Sequence, residues 1–285
     1  MSLYLSAVGK KYGPVEHSWD DRDVILYALG VGAASTDPTG PDLAFTTENS
    51  EGIELRVLPT YATVLGLLAT PPASELGDFE PSKLVQGEQA VSLPGSLPSK
   101  ATAFTTSTIV AFYDKGSGAL AVIEAQTFDA SSGKLLCTSR SNLFVRGEGG
   151  FGGDRGPSAI ARPTEPSPPD KVVTYATGTG QALLYRLSGD RNPLHSDPVR
   201  AKKAGFDRPI LHGRCTFGFA GRAILSAVCD DDPGRLHSMQ ARFARPTWPG
   251  DSLTIRMWIS GQELAFSVEN QRGELVLDQG LATFS

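Results

Sequence analysis

An aspartate and a histidine five residues apart, Asp190 and His195, bracket Asn192 and Pro193 in the stretch YRLSGDRNPLHSDP that begins at Tyr185. Gly-Asp followed by Asn-Pro is a turn sequence: glycine reaches backbone angles closed to other residues, and proline does not sit inside a helix. Two side chains that exchange protons near neutral pH are therefore held on one ordered turn after a short helix. Asp with His is a common pairing for general acid–base chemistry. A second turn, Pro209-Ile210-Leu211-His212-Gly213, opens a helix. The first N–H groups of a helix lack internal partners and carry positive partial charge. Glycine there admits a ligand close to the backbone. The position suits a carbonyl oxygen that becomes anionic during reaction.

Other candidate residues read more plainly. Gly147 to Gly152, GEGGFG, fits G-x-G-x-x-G but runs into Gly-Asp-Arg-Gly-Pro instead of opening a helix, so it is read as a chain-reversing strand end. No G-x-S-x-G elbow occurs. Four scattered histidines have no metal-ligand spacing, and no metal is expected. Cys215 reads as a packed small hydrophobe. His17 and His237 read as isolated surface or core residues. His212, next to Gly213, is tempting as a third catalytic group, but the plainer reading is a helix-opening residue satisfied by local hydrogen bonds.

These turns need a scaffold. HGRCTFGFAGRAILSAVCDDD, 212–232, places Phe217, Ala220, Ile224 and Val228 on one helical stripe, ended by aspartates and Pro233. MQARFAR, SLTIRMWI, ELAFSVEN and ELVLDQGLATF follow, strand-like runs split by Pro-Gly, Ser-Gly and Arg-Gly turns. The 285 residues suffice for one large domain or two ordinary ones. A Gly-rich stretch passes into PSAIARPTEPSPPD, so residues 155–170 are expected to be a proline-rich linker between halves 1–154 and 171–285. The halves echo each other: Tyr27-x-Leu29-x-x-Gly32 lies over Tyr185-x-Leu187-x-x-Asp190, and Gln89-Ala90 over Gln240-Ala241. Each half is expected to be one long helix followed by an antiparallel sheet, an α+β class.

Composition narrows the partners. Lys+Arg number 26 against 31 Asp+Glu, a net charge of −5 without a basic stripe, so no nucleic-acid partner is expected. Three cysteines with no C-x-x-C fit a reducing compartment. No run reaches the length of about 18 apolar residues that a transmembrane helix needs, so no membrane partner is expected. The N-terminus does not read as a signal peptide and LATFS carries no Ser-Lys-Leu address, which points to the cytoplasm.

Tyr185, Leu187, Ser188, Gly189, Asp190, Asn192, Pro193, Leu194, His195 and Ala201 resemble the signature of R-specific enoyl-CoA hydratase 2, within the MaoC-like hot-dog proteins. Ala204-Gly205-Phe206, Pro209 to Gly213 and Cys215 to Phe219 continue the likeness, which is close to the hydratase region of peroxisomal multifunctional enzyme type 2. Tyr27 to Ala33, Leu58-Pro59-Thr60, Asp114 to Gly118 and Gly149 to Gly153 extend it through the first half. The resemblance implies a double hot-dog whose second repeat, 171–285, is catalytic and whose first, 1–154, is degenerate. Gly32 lies where the second half has Asp190, and no Asn-Pro-x-His follows it. The substrate implied is a trans-2-enoyl-CoA, hydrated reversibly to (3R)-3-hydroxyacyl-CoA, with coenzyme A part of the substrate and no separate cofactor. By resemblance the catalytic positions are Asp190, His195, Asn192 and the backbone N–H of Gly213. Substrate contacts fall on Gln86, Gly87, Lys115, Arg191, Pro193, Leu194 and Phe243. Gln86 departs from relatives that carry His there. Arg191 has no assigned chemical part, and Arg214 is given no role. Arg200, Lys202 and Lys203 are either a solvated helix face or a cationic rim for CoA phosphates. A homodimer is compatible with hot-dog pairing. The alternatives are a (3R)-hydroxyacyl-thioester dehydratase of fatty-acid synthesis, a hot-dog acyl-CoA thioesterase and a non-catalytic acyl-CoA binding module.

Overall fold

A computed structural model of the chain describes residues 2–157 and 168–285. The strands are β1 Lys11–Trp19, β2 Leu84–Ser92, β3 Ala101–Asp114, β4 Gly118–Asp129, β5 Leu135–Arg146, β6 Lys171–Ala176, β7 Leu236–Phe243, β8 Ser252–Ser260, β9 Glu263–Asn270 and β10 Leu275–Phe284. They form a single sheet in the order β1-β3-β4-β5-β2-β7-β10-β9-β8-β6, with every neighbour antiparallel. Read from either edge inward, the order is the same: first, third, fourth, fifth, second strand of each half. The sequence echo is thus a repeat of topology. At the seam Gln89 faces Ala241 and Ala90 faces Gln240, so the two Gln-Ala pairs meet each other across the join.

The helices are α1 Asp21–Gly30, α2 Leu43–Thr46, α3 Ala62–Leu67, α4 Gln181–Tyr185, α5 Pro198–Lys203 and α6 Gly213–Val228. The alternating strands β7 to β10 stand where sequence periodicity puts them. The edge strands β1 and β6 were not marked by it, since β6 is exposed along most of its length and shows no buried stripe. The expectation of a long helix in each half holds only for the second. In the first half, α3 lies at the position of α6 but ends after six residues. It runs into Thr70-Pro71-Pro72, and a residue before proline is pushed out of the helical region while proline itself offers no N–H.

Helix α6 is buried all round from Arg214 to Leu225, not along one stripe. It fills the inside of the curved sheet, which makes the architecture a double hot-dog with one principal helix. Phe217, Phe219, Ala220 and Ile224 have no solvent exposure. Burying Phe or Ile contributes about 1.5–3 kcal/mol each. Close approach to the first half depends on Gly218, where a Cβ would lie 2.4 Å from Val31 Cγ1. The halves also meet through α1 and α4. Tyr27 and Tyr185, matched in the repeat, are both fully buried with ring centroids 6.1 Å apart. The Gln181 amide donates to the carbonyls of Leu29 and Gly30 at the end of α1, at 3.2 and 2.6 Å.

The Gly-rich segment after β5 turns back on itself. Asp114 accepts N–H groups from Gly116, Gly150 and Gly152, each at 2.8 Å. Most of the proline-rich stretch expected as a linker, residues 158–167, lies outside the described residues.

Candidate active site

The candidate site is built on the chain between α4 and α6. After α4 a 3-10 turn, Arg186–Ser188, ends at Gly189, whose φ of 126° is open to glycine. This reversal delivers Asp190. The Asn192 N–H donates to Asp190 Oδ1 at 3.3 Å, and Asn192 Oδ1 caps the next 3-10 turn, Pro193–His195, by accepting the Leu194 N–H at 3.0 Å. The cap occupies the Asn192 oxygen and leaves its NH2 group without an acceptor among the described residues.

His195 closes the turn. Its Nδ1 lies 2.9 Å from the Ile210 carbonyl oxygen. A carbonyl only accepts, so Nδ1 carries the proton and Nε2 presents a lone pair. His212 is the residue before α6 and is 1% exposed. Its Nε2 donates to the backbone carbonyl of Asp190 at 3.1 Å, and its ring stacks on His195 with centroids 3.8 Å apart and meets the ring of Tyr185 at a tilt, with centroids 4.9 Å apart. Buried His212 Nδ1 has no partner among the described residues. The reading of His212 as a locally satisfied helix-opening residue is therefore corrected. The ring bridges the two turns and shares a face with His195, because the 16 residues between them loop back through α5.

Gly213, first in α6, has an N–H with no acceptor among the described residues. A Cβ on it would lie 2.8 Å from Phe243 Cε1, so the ring of Phe243 sits directly on this glycine. Phe243 ends β7, one residue after Arg242, which pairs with Glu88 of β2. Gly87 sits in a β-bulge where the register shifts between Gln86 and Glu88. The Gln86 amide donates to the Glu88 carbonyl at 2.9 Å and reaches Gln89 Oε1 at 3.5 Å. The fold therefore brings Asp190, Asn192, His195, Gly213 and Phe243 together, with Gln86 and Gly87 on the adjoining strand. Leu194 is half-buried beside them, whereas Arg191 and Pro193 are exposed on the turn. Lys115 follows β3 at the corresponding end of the sheet. There it donates to the Arg155 carbonyl and lies over the Tyr113 ring, and no described contact joins it to the Asp190 group. Arg200, Lys202 and Lys203 are exposed on α5.

Arg214, to which the sequence assigns no role, lies against this group. It is 8% exposed, and its Nη1 lies 3.6 Å from Asp190 Oδ2. The signal in the sequence is a pair of arginines, Arg214 and Arg222, in a mostly apolar helix.

Asp190, His195 and His212 place three possible ligand atoms within 4.8 Å of one another. The Arg214 guanidinium beside Asp190 opposes a cation there. The arrangement instead suits proton transfer. Burial pulls the pKa of His195 down, as does Arg214, against the pull of the Ile210 bond and the Asp190 carboxylate. Burial and the neighbouring His195 pull His212 down as well. Both rings are thus neutral at pH 7. Cys215, two residues on, is fully buried with its thiol pushed well up by that burial, which fits a packing role.

The same shifts set a stability dependence. Unfolded histidines titrate near a pKa of about 6.5 and bind protons that the folded rings refuse. Stability is fully present above that pH and falls as pH drops below it, by up to about 1.4 kcal/mol per pH unit for each ring. Thermal melts between pH 8 and 5 should show a decline below pH 6.5 that is shallower in His212→Gln. Equal slopes would mean that His212 does not carry the effect.

Comparison with known proteins places both halves. Residues 17–147 match the MFE-2 hydratase 2 N-terminal domain, and residues 158–279 match the MaoC like domain. The chain is 40% identical over 294 residues to 3-hydroxyacyl-thioester dehydratase Y of Mycobacterium tuberculosis, covering 100% of this chain and 99% of that one. It is 37% identical to the peroxisomal enoyl-CoA hydratase 2 of Arabidopsis thaliana, over 94% of this chain and 91% of that protein. A crystal structure of a MaoC-like dehydratase from Phytophthora capsici superposes with a TM-score of 0.84 at 31% identity, covering 99% and 97% of the two chains. With both halves matched in order and such identity along two whole chains, this protein belongs to the hydratase 2 family of MaoC-like double hot-dog proteins.

Proposed function

We propose that the protein adds water reversibly across the double bond of trans-2-enoyl-CoA thioesters, giving (3R)-3-hydroxyacyl-CoA in fatty-acid metabolism. The observation that carries this is the turn that sets Asp190, Asn192 and the free Nε2 of His195 beside the unpaired N–H of Gly213. Hydration needs a base for water, a proton for C2 and a stabiliser for the negative charge that builds on the thioester oxygen. Neutral His195 takes a proton from a water held between it, Asp190 and Asn192 as the water oxygen bonds to C3. Electrons move through the double bond onto the thioester oxygen, which receives the Gly213 N–H and the positive end of α6. The proton taken from water then passes from the imidazolium to C2 on the same face and restores the neutral ring. The elements of water are added with no change in redox state, so these groups suffice without a resident cofactor.

The same site run backwards is a dehydratase, and the relative named 3-hydroxyacyl-thioester dehydratase Y favours testing that direction too. The test is a steady-state series of 2-enoyl-CoAs from crotonyl-CoA upward, with chiral analysis of the product. The R alcohol is expected. An S product, or release of free thiol without hydration, overturns the assignment. Comparison with the matching acyl-carrier-protein thioester distinguishes the two substrate classes.

A further inference from the structure

Arg214 follows the glycine at the start of α6, yet its guanidinium does not reach water freely. Its Nε donates to Gln89 Oε1 at 3.2 Å and its Nη2 to Ser141 Oγ at 3.2 Å, while Nη1 faces Asp190 Oδ2 at 3.6 Å. Gln89 is 1% exposed and firmly held: its NH2 donates to Ser139 Oγ at 3.0 Å and to the Arg140 carbonyl at 3.1 Å, and its oxygen also accepts from Ser141 Oγ. All of these anchors belong to β2 and β5 of the half that lacks an acid–base pair. A guanidinium keeps its charge at any working pH, and burying it costs more than burying a hydrocarbon of the same size. An apolar residue would fill this part of α6 as well, so packing alone does not account for the arginine.

We propose that Arg214 is a positioning residue for the hydration: anchored on Gln89 and Ser141 of the first half, it holds the Asp190 carboxylate in its working orientation. This rests on the hydratase reading of the site. It gives the first half a part in the reaction through a buried fork that crosses the seam of the double fold. Arg214 also bears on His195 and His212. The charged and titratable groups facing His195 are Asp190, which favours its protonation, Arg214, which opposes it, and the stacked ring of His212. Those acting on His212 are His195, Asp190 and Arg214.

The test compares the native chain with Arg214→Met and Arg214→Lys on crotonyl-CoA across pH. Arg214→Met is expected to lower kcat by about 10- to 100-fold, because a misplaced reacting group costs up to about that much, with KM within about twofold of native. Its acid limb of kcat/KM should move to higher pH, since a positive neighbour that opposed protonation of His195 is gone. Arg214→Lys keeps the charge but cannot fork between three acceptors, so it should lose part of kcat while its acid limb stays at the native pH. A purely structural role would move melting temperature without moving the acid limb. The proposal is overturned if Arg214→Met keeps kcat within about twofold of native with an unmoved acid limb. If Arg214→Met does not fold, Arg214→Lys carries the test, and native kcat in it overturns the proposal. A native chain inactive on all 2-enoyl-CoAs would instead overturn the hydratase reading itself, so the two failures are distinct.

Discussion

Replacing Asp190 with Asn, or His195 with Gln, lowers kcat on crotonyl-CoA by about 10²–10⁴-fold while the chain remains folded, the range in which positioned acids and bases contribute. Each change removes one proton acceptor and keeps the shape. Asn at 190 retains an oxygen for the Asn192 N–H, and Gln at 195 retains a donor for the Ile210 carbonyl. Neither side chain belongs to the apolar core, and Asn at 190 keeps a side-chain oxygen that can face Arg214, whose other hydrogen bonds go to Gln89 and Ser141. Far-UV circular dichroism and melting curves beside the kinetics separate chemistry from folding. Near-native kcat in either variant would remove that residue from the reaction.

The second large effect concerns a backbone atom. Proline is tolerated at the first position of a helix, and it removes the N–H that would stabilise the developing oxyanion. His212 already has φ −61° and ψ 133°, the extended conformation that a residue before proline adopts. The obstacle is the Phe243 ring, which any Cβ at 213 would meet at 2.8 Å. The comparison is therefore made in a Phe243→Leu background, where Gly213→Ala tests the added carbon and Gly213→Pro adds the loss of the N–H. Proline is expected to cost a further 10²–10³-fold or so in kcat beyond alanine, the loss typical of one oxyanion donor. Equal rates for the two would show that the charge is stabilised elsewhere.

Much of the site was legible because it is local. Asp190, Asn192 and His195 lie within six residues, and Gly-Asp-x-Asn-Pro specifies a turn by backbone chemistry alone. The strands β7 to β10 were legible for the same reason, since alternation and Gly-containing turns act over a few residues. The sequence suggests local bonds for His212 and no role for Arg214. Their surroundings come from β2, β5 and the Asp190 turn, up to 125 residues away, and no local pattern reports such contacts. The short helix of the first half departs from the expected long one. The repeat suggests symmetry, and Thr70-Pro71-Pro72 after α3 breaks it.

By itself, then, the chain's order of residues determined the repeat, the turn from Asp190 to His195 and the glycine that opens α6, because turn angles, strand alternation and helix ends are set by neighbours in sequence. Only the tertiary structure decided that the two halves share one sheet along β2 and β7, and that a buried arginine from one half is tethered by the other. Those features arise from backbone pairing and the need to satisfy a buried charge, and both act between residues that are adjacent only after the chain has folded.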